Sequence, residues 1–180
     1  MTSTLWNHLK TITHHRHLVM KNCFRCGLYK RGLLHDLSKY SPQELYVHRY
    51  WTGTHSPIHQ DKVEHGGCSK AWLHHKGHNA HHLEYWLDNS KEGTIAQPMT
   101  DEYLVELLCD RIGASKNYLK DKYTDASPYE YNEKTKHTIL THLKTAQQIH
   151  DALYYLKEVG EDQFFKTVRE ELKRKKKIKK

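Results

Sequence analysis

The sequence predicts an all-α fold: a single compact helical domain over residues 1–172, followed by a basic C-terminal tail at 173–180. Three observations lead there. Apolar residues recur at helical spacing along most of the chain. Serine-proline starts followed by a glutamate, the signature of a helix N-terminus, occur twice. The apolar-polar alternation that marks strands is scarce. A chain of 180 residues with 37% hydrophobic content and 12 tyrosines has enough material for one core.

Taken in order, residues 13–29 place Leu18, Val19, Cys23, Cys26 and Leu28 on one broad helical face, and Gly27 and Gly32 mark its end region. Ser41-Pro42-Gln43-Glu44 reads as a capping box, with proline at the first helical position and glutamate at the third. Residues 51–67, carrying Gly53, Pro57, Gly66 and Gly67, read as a loop. A helix follows over 69–87, with an interruption possible at Gly77-His78-Asn79. After a polar loop at 89–97, Thr100-Asp101-Glu102 opens a helix through Leu104, Val105, Leu107, Leu108 and Ile112. Ser127-Pro128-Tyr129-Glu130 repeats the capping box. Leu140, Leu143, Ile149, Leu153 and Leu156 then sustain a long amphipathic helix to Gly160. The last helix, from Glu161, carries Phe164, Phe165, Val168 and Leu172.

Charge and histidine are both unevenly placed. The formal net charge is +8, from 29 basic and 21 acidic residues, but seven of the last eight residues are basic. Without them 22 basic residues face 21 acidic ones, so the body is nearly neutral. The tail offers nonspecific electrostatic binding to nucleic acid or another acidic surface. Of 17 histidines, 14 fall at or before His82, which directs the search for a site to the first 110 residues. Apolar runs are too short for a transmembrane helix, so no membrane partner is expected. The N-terminus lacks the layout of a signal peptide and four cysteines make no framework, which together predict an intracellular protein. Cys23 and Cys26 share a helix face and read as buried free thiols, since no second such pair exists to complete a zinc site.

The chemistry concentrates in Leu33-Leu34-His35-Asp36-Leu37-Ser38-Lys39. An adjacent histidine and aspartate can offer an imidazole nitrogen and a carboxylate oxygen to one cation of the Zn, Mn or Fe type. His17 precedes the pair on a helix. Asp110 follows far downstream inside an apolar helix, where a carboxylate needs a partner or a metal. A second cluster holds His74, His75, His78, His81 and His82. On an unbroken helix His74 aligns with His81 and His75 with His82.

This order of a helical histidine, His-Asp and a late helical aspartate resembles the HD-domain superfamily of metal-dependent phosphohydrolases. It is closest to a family of small HD-like proteins of bacteria and viruses that have no established substrate. The resemblance spans roughly residues 13–115. It implies that His17, His35, Asp36 and Asp110 hold one metal, that His74, His75, His81 and His82 help to complete a second, and that Lys39 offsets charge on a bound phosphate. The expected cofactor is one or two divalent transition-metal ions (Mn, Fe, Co or Zn). The expected substrate is a phosphorylated small molecule or nucleotide, with Asp36 and Lys39 at the reaction centre. His14 and His15 are expected at the surface or behind the ligands. His48, His55, His59 and His65 fall in or near the expected loop, open to a substrate-facing role. Two other readings stand beside the hydrolase. One is a di-iron oxygenase on the same fold, favoured by the excess of histidine over carboxylate. The other is a non-enzymatic nucleic-acid-binding protein that uses the tail.

Overall fold

The structure, a computed structural model, describes residues 3–178. It is mainly helical, with one small two-stranded sheet. In chain order come α1 (Ser3–Arg25), α2 (Tyr29–Leu34), the short α3 (Pro42–Leu45), α4 (Pro57–Glu64) and α5 (Lys70–His78). An antiparallel hairpin follows, β1 (Leu87–Ser90) with β2 (Gly93–Ala96), and then α6 (Asp101–Leu119), α7 (Ser127–Thr135) and α8 (Leu143–Ile178). No helix among the described residues is long and apolar enough to cross a membrane.

The core lies where α1, α6 and α8 meet. Val19 and Cys23 of α1, Ile112 of α6, and Leu153, Leu156, Phe164 and Phe165 of α8 are almost wholly buried there. Gly113 sets how near α1 and α6 approach. A Cβ on it would lie 2.7 Å from Val19 Cγ2 and 3.3 Å from the Val19 backbone nitrogen, so only glycine fits without separating the helices. This close seam brings the middle of α1 opposite the middle of α6, which is where the site forms. Cys23, Cys26 and Cys109 are buried free thiols in the same region.

Several elements differ from the sequence expectation for local reasons. The 51–67 segment contains a helix, α4, started by Pro57 and placed between two glycine-bearing turns. The 89–97 segment forms the β1–β2 hairpin, with Gly93 at positive φ. Neither capping box caps. Ser41 makes no side-chain cap bond and Glu44 is drawn into the interior. Ser127 lies inside α7, where its hydroxyl accepts from the Thr124 amide. Gly160 breaks α8 as expected, at φ 76° and ψ 166°, a conformation that is essentially restricted to glycine. The basic segment is not a separate tail where it is described. It continues α8 to Ile178, and Lys175 and Lys176 pair with Asp101 and Glu102 at the start of α6.

Candidate metal centre

On α1 the buried face runs His8, Ile12, His15, Val19, Asn22 and Cys23. His15 therefore points inward. His17, two residues on, is rotated by about 200° at ~100° per residue and is exposed. The expectation for this helix is corrected: His15, not His17, joins the cluster.

His35 and Asp36 follow the end of α2. His35 is extended, at φ −50° and ψ 126°, and Asp36 is left-handed, at φ 53° and ψ 27°. Aspartate tolerates that region better than most residues, at a cost of about 1–2 kcal/mol. The turn swings both side chains inward, where Asp36 is 1% exposed. Arg16 holds it from outside, donating to the His35 carbonyl at 2.7 Å and the Leu33 carbonyl at 3.0 Å. On α6, Glu106 and Asp110 lie four residues apart and share one face.

The second histidine cluster is not one helix. α5 ends at His78, and Asn79 at φ −124° and ψ 93° turns the chain; its amide donates to the His75 carbonyl and the Ser38 hydroxyl, both at 2.8 Å. The reversal brings His81 and His82 back beside His75. The expected alignment of His74 with His81 is thus corrected. His74 turns aside, donates to Glu44 at 2.7 Å and stacks on the exposed His78.

Two donor sets result, and they share Asp36. One comprises His15, His35, Asp36 and Asp110; the other comprises Asp36, His75, His81 and His82. In the first, His15 Nε2 lies 3.0 Å from Asp110 Oδ1 and 3.6 Å from Asp36 Oδ2, and His35 Nε2 lies 3.3 Å from Asp36 Oδ2. In the second, Asp36 Oδ1 lies 3.4 Å from His75 Nε2 and 3.5 Å from His81 Nε2. Ligands about 2.1 Å from a cation are separated by roughly 3.0–3.4 Å in octahedral or tetrahedral geometry, so these edges match a coordination polyhedron.

Two buried carboxylates aim the imidazoles. Glu106 Oε1 accepts from His35 Nδ1 at 3.1 Å and faces His81 Nδ1 at 3.4 Å. Glu44 Oε2 accepts from His75 Nδ1 at 2.7 Å. A proton fixed on Nδ1 leaves the Nε2 lone pair facing inward, the role that carboxylates play behind metal-binding histidines. Glu106 is therefore read as an orienting group on the Nδ1 side, although it also clusters with His35 and His81 as a potential donor.

The donor chemistry fits a divalent cation. Among the described residues, His15 Nε2, His35 Nε2, Asp36 Oδ1 and His81 Nε2 are buried and make no hydrogen bond. Each such atom costs about 1–3 kcal/mol unless something meets it. Burial would raise the Asp36 and Asp110 pKa values, but the surrounding imidazoles, together with Lys39 at Asp36, hold both well below the usual range. Burial likewise works against Glu106, yet its bonds from His35 and His81 hold it at about 2. Burial and its neighbours His81 and His75 push His82 well down, so its ring is neutral, and its Nε2 meets His75 Nε2 at 2.8 Å. Lys39 Nζ lies 2.6 Å from Asp36 Oδ2. A cleft of about 640 Å³ opens on the cluster through His15, Lys39, Asp110, His81 and His82.

Of the residues singled out in the sequence, the structure thus brings together His35, Asp36, Asp110, His75, His81 and His82, with Lys39 beside them. It leaves out His17 and His74. Sequence reasoning missed His15, Glu44 and Glu106. His15 was legible from its register with Ile12 and Val19, and Glu106 from its place four residues before Asp110 in an apolar run. Glu44 carried only a capping signal.

Fold and site together define a mainly helical protein with a buried histidine-carboxylate cluster able to hold metal. The chain belongs to a family of unknown function, DUF5662, whose model matches residues 4–155. That span includes every residue of both donor sets. No curated protein and no solved structure matches it.

Proposed function

We propose that the protein is an HD-type metal-dependent phosphohydrolase acting on a phosphomonoester or phosphodiester of nucleotide-like size. The observation that carries this reading is the shared carboxylate. Asp36 turns Oδ2 toward one donor set and Oδ1 toward the other, the arrangement by which one side chain holds two cations side by side. His15, His35 and Asp110 would complete one site, and His75, His81 and His82 the other. When bound, the cations lower the pKa of a water and polarise a phosphoryl oxygen.

The chain's own groups supply the rest. Lys39 carries a positive charge at the boundary between cluster and cleft, held protonated by Asp36 and placed to balance a phosphoryl oxygen. Glu44 and Glu106 retain the Nδ1 protons of His75, His35 and His81 and keep those rings from rotating. Apolar cleft walls that include Leu107, Leu83 and Ile149 limit competing water. Hydrolysis breaks the phosphorus–oxygen ester bond, with water adding to phosphorus and the departing oxygen taking up a proton.

The three imidazoles of His75, His81 and His82 beside one carboxylate also favour a second reading, a di-iron oxygenase. Metal analysis of protein purified without chelator, followed by assays with Mn²⁺ or Fe²⁺, separates the two. The hydrolase predicts about two ions per chain and phosphate release from a nucleotide panel, lost in Asp36→Asn. Phosphate-free panels with iron content and O₂ consumption would move the assignment to the oxygenase.

A further inference from the structure

The cleft is far larger than a metal cluster or a lone phosphate needs, and it falls in the size range of sites for whole organic ligands. Among the described residues, three Lys and Arg side chains line it: Lys39, Arg111 and Lys136. Lys39 is paired with Asp36, and Lys136 with Glu133 at 2.6 Å. Arg111 has no carboxylate within ion-pair distance among the described residues. It makes one hydrogen bond, donated to Asn132 Oδ1 on α7. A guanidinium has five N–H donors, so most of its fork is unmet inside the cleft.

Its place in the fold separates it from the metal cluster. Asp110 and Arg111 are consecutive on α6, and side chains one residue apart diverge by about 100°. Asp110 turns to His15 on α1, whereas Arg111 turns to the seam with α7. Burial lowers the Arg111 pKa, while the neighbouring Asp110 and then Tyr131, which also lines the cleft, act in the opposite direction. Asn132 acts as a strut. By accepting one N–H it fixes the plane of the fork and leaves the remaining donors for a ligand.

We propose that Arg111 is a receptor for a second phosphate of the substrate, apart from the one held at the metal cluster, so that the preferred substrates are organic bisphosphates. The argument is one of charge and geometry. A planar fork matches two oxygens of a phosphate, and the Tyr131 hydroxyl is available to a third. The substrate lies along the cleft with one phosphate beside Lys39, its body against the apolar wall, and the other phosphate at Arg111. The inference rests on the phosphohydrolase reading for the reacting end, but the Arg111 end can be tested without it.

The test is equilibrium binding to metal-free full-length protein by calorimetry, with adenosine 5′-monophosphate and adenosine 3′,5′-bisphosphate as probes. The bisphosphate should bind the native protein about 10- to 100-fold more tightly, the range expected for a charge-assisted bond pair. That gap should close in Arg111→Gln and narrow in Arg111→Lys, which keeps the charge and loses the fork. Equal affinities in the native protein overturn the proposal, as does a gap that survives in Arg111→Gln. Circular dichroism checks that each variant is folded, and Arg111→Lys serves alone if the glutamine variant is not. Phosphate release in the presence of Mn²⁺ is read separately. Arg111-dependent binding without turnover leaves the receptor standing and removes the hydrolase, whereas turnover with no Arg111 dependence does the reverse.

Discussion

Asp36 accepts a left-handed backbone in order to stand at the junction of two donor sets, and its neighbours determine what that placement can do. One carboxylate oxygen faces Lys39, His15 and His35, and the other faces His75 and His81. At this scale the two positions His15 and His17 offer the cleanest discrimination, because they lie two residues apart on one helix and face opposite sides of it. His15 is 6% exposed with an unbonded Nε2, whereas His17 stands in solvent. Substituting His15 with Ala removes one of four donors from the first set and leaves the second set complete. Bound metal, measured by elemental analysis after desalting, should fall from about two ions per chain to about one in His15→Ala. His17→Ala should keep the native stoichiometry. Equal losses in both variants would mean that α1 does not present the register described here.

The elements are joined to one another by a half-buried carboxylate, Glu161, at the start of the segment after the Gly160 break. It accepts from Arg25 of α1 at 3.1 Å, from Lys116 of α6 at 2.5 Å and from the Tyr123 hydroxyl at 2.8 Å. Burial would raise its pKa, but Lys116, Tyr123 and Arg25 together hold it below the ordinary glutamate value. A depressed pKa contributes stability above the unfolded value of about 4.3, and that contribution is lost as pH falls through the folded value. Urea unfolding of metal-free protein at pH 7 and at stepwise lower pH should therefore show native stability declining below about pH 4.5. Glu161→Gln should be less stable at pH 7 and decline less steeply over the same window. Parallel curves would show that Glu161 contributes nothing to acid sensitivity. The helices that these groups join were legible because their apolar spacing and the Gly160 stop are local signals. The site was legible only in part, for a physical reason. His35, Asp36 and Asp110 stand out in apolar surroundings. The choice of His15 over His17 instead depends on which face of α1 meets α6, and Glu44 acquires its role only when α3 packs on α5.

For the molecule as a whole, the donor sets and the core divide the work of holding the chain together. Phe164, Phe165, Leu153 and Leu156 belong to the core where α8 meets α1 and α6, and none of them is in a donor set. The cluster instead collects side chains from α1, the turn after α2, α5, the 79–82 reversal and α6. Of these, α5 and the reversal have little apolar burial of their own, with Ala71 and Ala80 as their buried hydrophobic residues. A bound cation then acts as a crosslink for the weakly packed part and adds little to the strongly packed part. A ligand at 100 times its Kd stabilises by about 2.7 kcal/mol, which for a domain of this size corresponds to a Tm rise of roughly 5–10 °C. Chelation should reverse that rise. Hydrogen exchange should show where the stability resided: amides of residues 70–86 should lose protection on chelation, while those of residues 149–172 should remain slow. A uniform loss of protection across both regions would mean that cluster and core unfold as one unit. No change in either Tm or exchange would mean that the four unbonded buried atoms are not a metal site.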